Sequence, residues 1–373
     1  MAEPCTLYGA PMSLYTGKAR AYLIKQHIPY RELTPTTGHY YEKVLPVVHR
    51  WLIPTLELPD NTLIQDGTMI IEHYENRPDI PSTLPPTPKQ KIVALLFDVI
   101  GMEGLLRPAM HYRWNFPNDN DTFLHENMRF FCPPDTKDPA AFAETQMGRM
   151  RSAGKAFGVQ PETQPVVEAL FMELLQLLDR HFAHVPYLLG GKPSIGDFGL
   201  IAPFFGHLSR DPYPSALLKQ HAHRVFRWTE RMNRTESDMP EFPGQKALFL
   251  ENDEIPDTLK AVLKKIGEDL VPESKAAAEC INQLLAEINP APGDPVERGV
   301  GFGKFELRGT QISALAQPWR FFLLARMQKA FNKLAEHPRN EVVALMAELG
   351  LESLLTLTID RDVRRHDHLE VWG

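Results

Sequence analysis

Residues 51–68 read WLIPTLELPDNTLIQDGT. Two short apolar runs, Thr55–Leu58 and Thr62–Gln65, flank Pro59-Asp60-Asn61, which is the pattern of a β-hairpin closed by a proline- and asparagine-containing turn. Pro54 stands at the mouth of the first strand, where it removes a ladder donor. Gln65-Asp66-Gly67-Thr68 leads into a helix over 68–77 that Pro78 ends. Upstream, CTLYG (5–9) reads as a strand and KARAYLIKQH (18–27) as a helix stopped by Pro29. Tyr30-Arg31-Glu32-Leu33 reads as a second strand, and EKVLPVVHRWL (42–52) as a short helix interrupted by Pro46. The order is βαβαββα. A parallel pair joined by a crossover helix, plus an antiparallel hairpin, predicts a small mixed sheet packed on helices.

The proline-rich stretch PDIPSTLPPTPK (78–89) is a semi-extended linker and marks a domain boundary. Beyond it the pattern is helical. In VVEALFMELLQLLDRHF (166–182), Val167, Leu170, Phe171, Leu174, Leu178 and Phe182 form one apolar stripe. No strand-like alternation of comparable strength follows residue 90, and residues 115–140 read as an irregular insertion. Residues 247–373 hold further amphipathic runs, broken at NPAPGDPVERGVGFGKFELRG (289–309). In PWRFFLLARMQKAFNKL (318–334), Pro318 suits a first helical position, with Trp319, Phe322, Met327, Ala330 and Leu334 as the expected stripe. The expected division is 1–80, a linker at 81–88, a helical domain at 89–246 and a helical extension at 247–373.

The chain has 373 residues, 43% hydrophobic and 23% charged, with net charge −7 and no Lys/Arg block interleaved with aromatics, so nucleic acid is excluded as the expected partner. Cys5, Cys132 and Cys280 lie far apart, against a zinc knuckle or a disulfide framework and consistent with a reducing compartment. The N-terminus lacks the pattern of a signal peptide and no apolar run is long enough to span a bilayer, so a cytoplasmic protein without a membrane partner is expected. The pairs His181/His184 and His221/His223, and His366-Asp367-His368, lack further ligand partners, so no metal is expected. GVGFGK (299–304) misses the spacing of a phosphate loop and reads as a flexible loop.

Four segments resemble the glutathione S-transferases in order and spacing, over roughly residues 5–230. SLYTGKAR (13–20) resembles the family's SPxSxKVR, IPTL (53–56) its VPxL with a cis proline, QDGTMIIEHYE (65–75) its helix opening after the hairpin, and PYLLGGKPSIGDFGL (186–200) its YLxGxxxSxAD. The resemblance implies a thioredoxin-like α/β domain followed by an all-helical domain. To these the chain adds its C-terminal extension, whose RGTQISALAQPWRFFLLARMQKAF is similar to a segment of long transferase-like proteins. It also implies glutathione as co-substrate, attack of its thiolate on a small apolar electrophile, and a homodimer unless the extension blocks the usual interface.

Each implied contact has a physical reason. A cis Pro54 would free the backbone of Ile53 to pair with a peptide ligand as an added strand. A helix opening at Gln65, Asp66, Gly67 and Thr68 offers free N–H groups and a positive dipole end to the γ-glutamyl carboxylate, while Asp66 holds the ammonium. Asp66 as a plain helix cap is the competing reading. Gly67 stands where relatives carry serine. Arg50 or Trp51 would meet the glycyl end of glutathione, against a surface arginine and a packing tryptophan.

Ser13, seven residues before Arg20 as in serine-type relatives, is the expected thiol activator, with Tyr15 as the alternative donor and an N-cap role as the competing reading. Cys5 opens a strand and is read as a small buried residue, which disfavours thiol–disulfide chemistry. Ser194 to Asp197 is a capping box. His111, Tyr112, Arg113 and Trp114 are the expected acceptor pocket, or else a packed helix end. The alternatives are a glutathione-dependent lyase, isomerase or dehalogenase on the same site, or a non-catalytic binding or scaffold protein.

Overall fold

The computed structural model describes residues 3–373. The N-terminal unit runs β1 (Cys5–Tyr8), α1 (Leu14–Lys25), β2 (Tyr30–Leu33), α2 (Leu45–Val48), β3 (Thr55–Glu57), β4 (Leu63–Gln65) and α3 (Gly67–Glu75), the expected βαβαββα order. The sheet order is β2-β1-β3-β4, with β1 parallel to β2 and antiparallel to β3. The register places Tyr8 opposite Thr55 and Thr55 opposite Gln65, so the segments after β1, before β3 and after β4 meet at one end of the sheet. Helix α1 starts before Lys18 because Ser13 caps it. Pro46 does not interrupt its helix: a π-helical turn over Tyr40–Val44 runs directly into α2, and the proline is accommodated at the junction in the first turn of α2.

The helical part comprises α4 (Pro88–Val99), α5 (Leu106–Trp114), α6 (Pro117–Arg129), α7 (Pro139–Ala156), α8 (Gln164–His181), α9 (Ile195–Pro203), α10 (Pro212–His221) and α11 (His223–Met232). The stretch 115–140 is therefore not irregular. It carries α6 and the start of α7, and Pro117 and Pro139 open these helices instead of breaking them. Ser194 and Asp197 form the expected capping box at α9, and Asp197 also accepts from Leu188 N and Trp228 Nε1.

The extension holds α12 (Asp257–Ile288), the hairpin β5 (Phe302–Leu307) and β6 (Thr310–Leu315), α13 (Trp319–Asn332), α14 (Glu336–Glu348), and the hairpin β7 (Val363–His366) and β8 (Leu369–Trp372). The extension is helical as expected in α12, α13 and α14, and it carries two hairpins besides. On β5, Gly303, Phe305 and Leu307 point inward while Lys304 and Glu306 face water, and Arg308-Gly309 turn the chain with positive φ (50° and 79°). The flexible loop expected at 299–304 thus ends in a strand. Asp367-His368 is the corresponding turn of β7–β8, with φ 43° and 66°. The buried face of α13 is also rotated from the expected stripe: Phe321, Leu324, Gln328 and Phe331 are buried beside Met327, while Trp319 and Phe322 stack on each other at 4.3 Å, only partly buried.

The extension shares its core and its buried charges with the rest of the chain. Asp98 on α4 lies between Lys18 of α1 (2.5 Å) and Arg326 of α13 (2.9 Å). Arg107 of α5 pairs with Asp269 and Glu273 of α12, and Glu273 also meets Arg320 of α13 at 3.0 Å. Among the described residues no helix is long and apolar enough to cross a membrane.

Buried histidines act on the acid side of stability. Burial lowers His181 to about 4, and burial with the nearby Arg113 charge holds His207 well below the usual range. Both stay neutral in the fold, so the stability they hold is full above the unfolded pKa of about 6.5 and is lost as pH falls toward the folded values. Burial raises the Glu103 carboxyl to about 8, which works in the opposite sense, its contribution shrinking as pH rises from about 4.5 to 8. These imidazoles and His111, which burial also lowers, lose their contribution as pH falls, so the melting temperature is expected to drop as pH falls from 6.5 to 4.5. Thermal melts across that window check it, and a flat profile would remove these histidines from the account.

Candidate functional site

At the shared end of the sheet, the β1–α1 loop is held from below by two buried arginines. Arg20 donates to the Ala10 carbonyl and Arg113 to the Met12 carbonyl, both at 3.0 Å. This fixes Ser13, whose Oγ accepts from Thr16 N at 3.2 Å. An oxygen that accepts here keeps its own O–H proton for another partner. Ser13 is only partly buried, at the N-terminus of a 12-residue helix.

The Ile53–Pro54 peptide bond is cis. Among the described residues no backbone hydrogen bond engages Ile53, whereas the Pro54 carbonyl accepts from Asp66 N at 3.0 Å. One residue therefore presents an unpaired N–H and C=O beside the β1–α1 loop. Asp66 has φ 86° and caps α3 by accepting from Thr68 N at 2.7 Å. Gly67 is the first residue of that helix, and its missing side chain has a steric reason. A Cβ there would lie 3.2 Å from the Tyr15 carbonyl, which α1 holds rigidly. Gly67→Ser is expected to lower stability by about 1 kcal/mol, measured by urea denaturation; a stabilised variant would contradict this close packing. Thr68 does not supply a replacement hydroxyl, because it is buried and accepts from Lys18 Nζ at 2.8 Å.

The two ends of this groove are occupied. Gln65 Nε2 donates to the Arg50 carbonyl, and the Gln65 backbone carbonyl accepts from Arg365 of β7 at 3.2 Å. Arg50 pairs with Glu370 of β8 at 2.6 Å and donates to the Val296 carbonyl. Trp51 donates to the Pro35 carbonyl and lies 6.1 Å from Phe131, partly exposed. Tyr15 opens on a cavity of about 20 Å³ lined by Asp66, Glu103, Arg298, Trp319 and Glu370. Burial, with the Glu103 carboxylate nearby, pushes the Tyr15 phenol up, so it stays a neutral donor.

Residues 7–82 match the family model for the glutathione S-transferase N-terminal domain. The N-terminal domain is glutathione S-transferase-like. Among solved structures the chain is similar to glutathione transferase GSTFuA3 from Phanerochaete chrysosporium: 14% identity, covering 63% of this chain and 98% of that one, TM-score 0.35. A glutathione S-transferase from Methylobacterium radiotolerans in complex with glutathione sulfonate is 16% identical, covering 67% and 97%, TM-score 0.35. The β-etherase LigF from Sphingobium sp. strain SYK-6 is 14% identical, covering 65% and 99%, TM-score 0.40. No curated protein matches the chain.

Outside this glutathione S-transferase-like domain the expected acceptor residues are buried and do not open on a cavity together. His111 is fully buried, bonded to Glu168 and Asn115, both at 2.8 Å, and burial lowers its pKa. Tyr112 stacks on Phe116 and Tyr213. Arg113 forms a buried pair with Asp211 at 2.6 Å while holding Met12, so it positions the Ser13 loop from behind. Trp114 alone reaches the interdomain apolar cluster, where Ala10, Met12 and Met110 meet Leu124 and Met128 of α6 and Met147 of α7, with Ile53 packed at its edge. Residues 117–156 thus roof this apolar region. Glu103, Arg298 and Glu370 join the site from outside the recognised segments.

Proposed function

We propose that this chain binds glutathione and transfers its thiolate to a small apolar electrophile. The observation that carries the reading is the unpaired Ile53 backbone beside cis Pro54, at the sheet end that also presents the Ser13 hydroxyl and the N-terminus of α3. Ile53 would pair with the cysteinyl backbone, Asp66 would hold the γ-glutamyl ammonium, and the Gly67 N–H at the positive end of α3 its carboxylate. Ser13 would donate to the sulfur, assisted by the positive end of α1, with Tyr15 as a second donor further along the groove. Bringing thiolate and acceptor together beside the apolar cluster supplies proximity. The family model matched by residues 7–82 supports the choice of peptide.

Calorimetric titration of the full chain with glutathione tests the reading. Saturable binding at millimolar concentration or tighter is expected, and no binding would sink it in favour of a non-catalytic protein on this fold. A panel of electrophiles, ethers and halides then separates transferase from lyase, isomerase or dehalogenase chemistry. The free cysteines suit a cytoplasmic setting. A homodimer would have to use a surface other than the face of α4 that α13 and α14 cover.

A further inference from the structure

The cavity at Tyr15 and Asp66 measures about 20 Å³, room for one water. Small-molecule sites begin at about 300 Å³. What closes it is one strap of the extension. Val296 N donates to the Glu370 carbonyl (2.9 Å), Trp372 N to the Asp294 carbonyl (2.9 Å) and Gly293 N to the Trp372 carbonyl (2.8 Å), so residues 293–296 run alongside β8, with an antiparallel bridge between Pro295 and Val371. Val296, Glu297 and Arg298 then form the wall opposite Asp66.

The strap's polar hold on the N-terminal domain falls on the residues that a peptide ligand would need. Glu370 pairs with Arg50, which also reaches the Val296 carbonyl, and Arg365 donates to the Gln65 carbonyl. Glu370 is itself buried between two guanidiniums, those of Arg50 and Arg365, each at 2.6 Å. A carboxylate from the chain's own end therefore sits on the cation that would receive a glycyl carboxylate. The exchange is one carboxylate for another. The centre of the groove differs: the Ile53 backbone is left unpaired. An occupied pair of ends around a free middle is the footprint of a competitor, not of a filled core.

We propose that the strap formed by residues 293–298 and β7–β8 is an intramolecular competitor for glutathione, with Glu370 in the place of the glycyl carboxylate and Val296–Arg298 over the γ-glutamyl end. This rests on the glutathione reading above. Binding then requires strap release, and anything that favours release raises apparent affinity by the gain in the open fraction.

The test uses the full chain as wild type, Glu370→Gln and Arg365→Gln. Each is titrated calorimetrically with glutathione, and amide hydrogen exchange is followed at Val296 and Trp372. Arg365→Gln leaves the buried Glu370 in place, so it serves if Glu370→Gln folds poorly. Both variants are expected to exchange faster at these amides and to bind glutathione at least fivefold more tightly. Glutathione added to wild type should speed exchange at the same two amides. Equal affinities in all three proteins, or weaker binding in the variants, overturn the strap as competitor while leaving glutathione binding intact. No binding in any protein, with the strap visibly released in the variants, removes the glutathione reading and this one with it.

Discussion

Ser13→Ala is expected to lower glutathione conjugation about 100-fold or more while leaving glutathione affinity within about twofold. The reactive species is the thiolate, and a free thiol with pKa near 8.5 is mostly protonated at neutral pH. Ser13 Oγ already accepts from Thr16 N, so its one proton is available to the sulfur, and the same geometry aims the positive end of α1 at that point. The peptide would be held elsewhere, at Ile53 and the start of α3, which is why binding should survive. Since Ser13 also caps α1, alanine should cost about 1 kcal/mol of stability. Ser13→Thr separates the roles, because it keeps both the cap and the donor and should recover most of the rate. A pH profile adds a readout that a purely structural role would not move: in Ser13→Ala, kcat/KM should keep rising to higher pH as the unassisted thiol ionises. Full activity in the alanine variant would transfer the role to Tyr15 or end the assignment.

Asp98→Ala should be strongly destabilising, by about 3–5 kcal/mol in urea denaturation. Asp98 Oδ1 meets Lys18 Nζ at 2.5 Å and its Oδ2 meets Arg326 at 2.9 Å. Lys18 is fully buried and keeps only the Thr68 hydroxyl when the carboxylate is gone. Removing one partner leaves uncompensated buried charge, which costs more than the intact pair contributes. The double variant Lys18→Met/Asp98→Leu should therefore be more stable than Asp98→Ala alone. If the single variant loses under 1 kcal/mol, the junction of α1, α4 and α13 is wetter than its burial indicates.

The N-terminal domain was legible because its signals are local. Pro54, the Pro59–Asn61 turn and the opening at Asp66 each act within a few residues, and together they fix strand count, register and the open end of the sheet. Proline misled where it opens helices: Pro117 and Pro139 each lie in a first turn, so the same residue that ends one helix begins another. The hairpin at 302–315 was hidden by Gly299, Gly301 and Gly303, which read as looseness, although Gly303 packs against α12 where a side chain would not fit. The burial of His111–Trp114 has a longer-range cause. Arg113 meets Asp211 some 98 residues away, and Glu103 is buried partly by Arg320, 217 residues on. Nothing near either residue announces such partners. Glu370 and Arg365 belong to the same class, since their place at the site exists only once β7–β8 folds back.

The apolar roof between the domains has one further consequence. Met12, Met110, Met128 and Met147 converge there around Trp114. Thioethers turn about several bonds at little cost, so such a wall can be reshaped by side-chain rotation with the backbone at rest. Selectivity for an acceptor's outline would accordingly be loose, and its tuning chemical: one oxygen added to any of these sulfurs turns a pliant, oily lining into a polar and stereochemically fixed one.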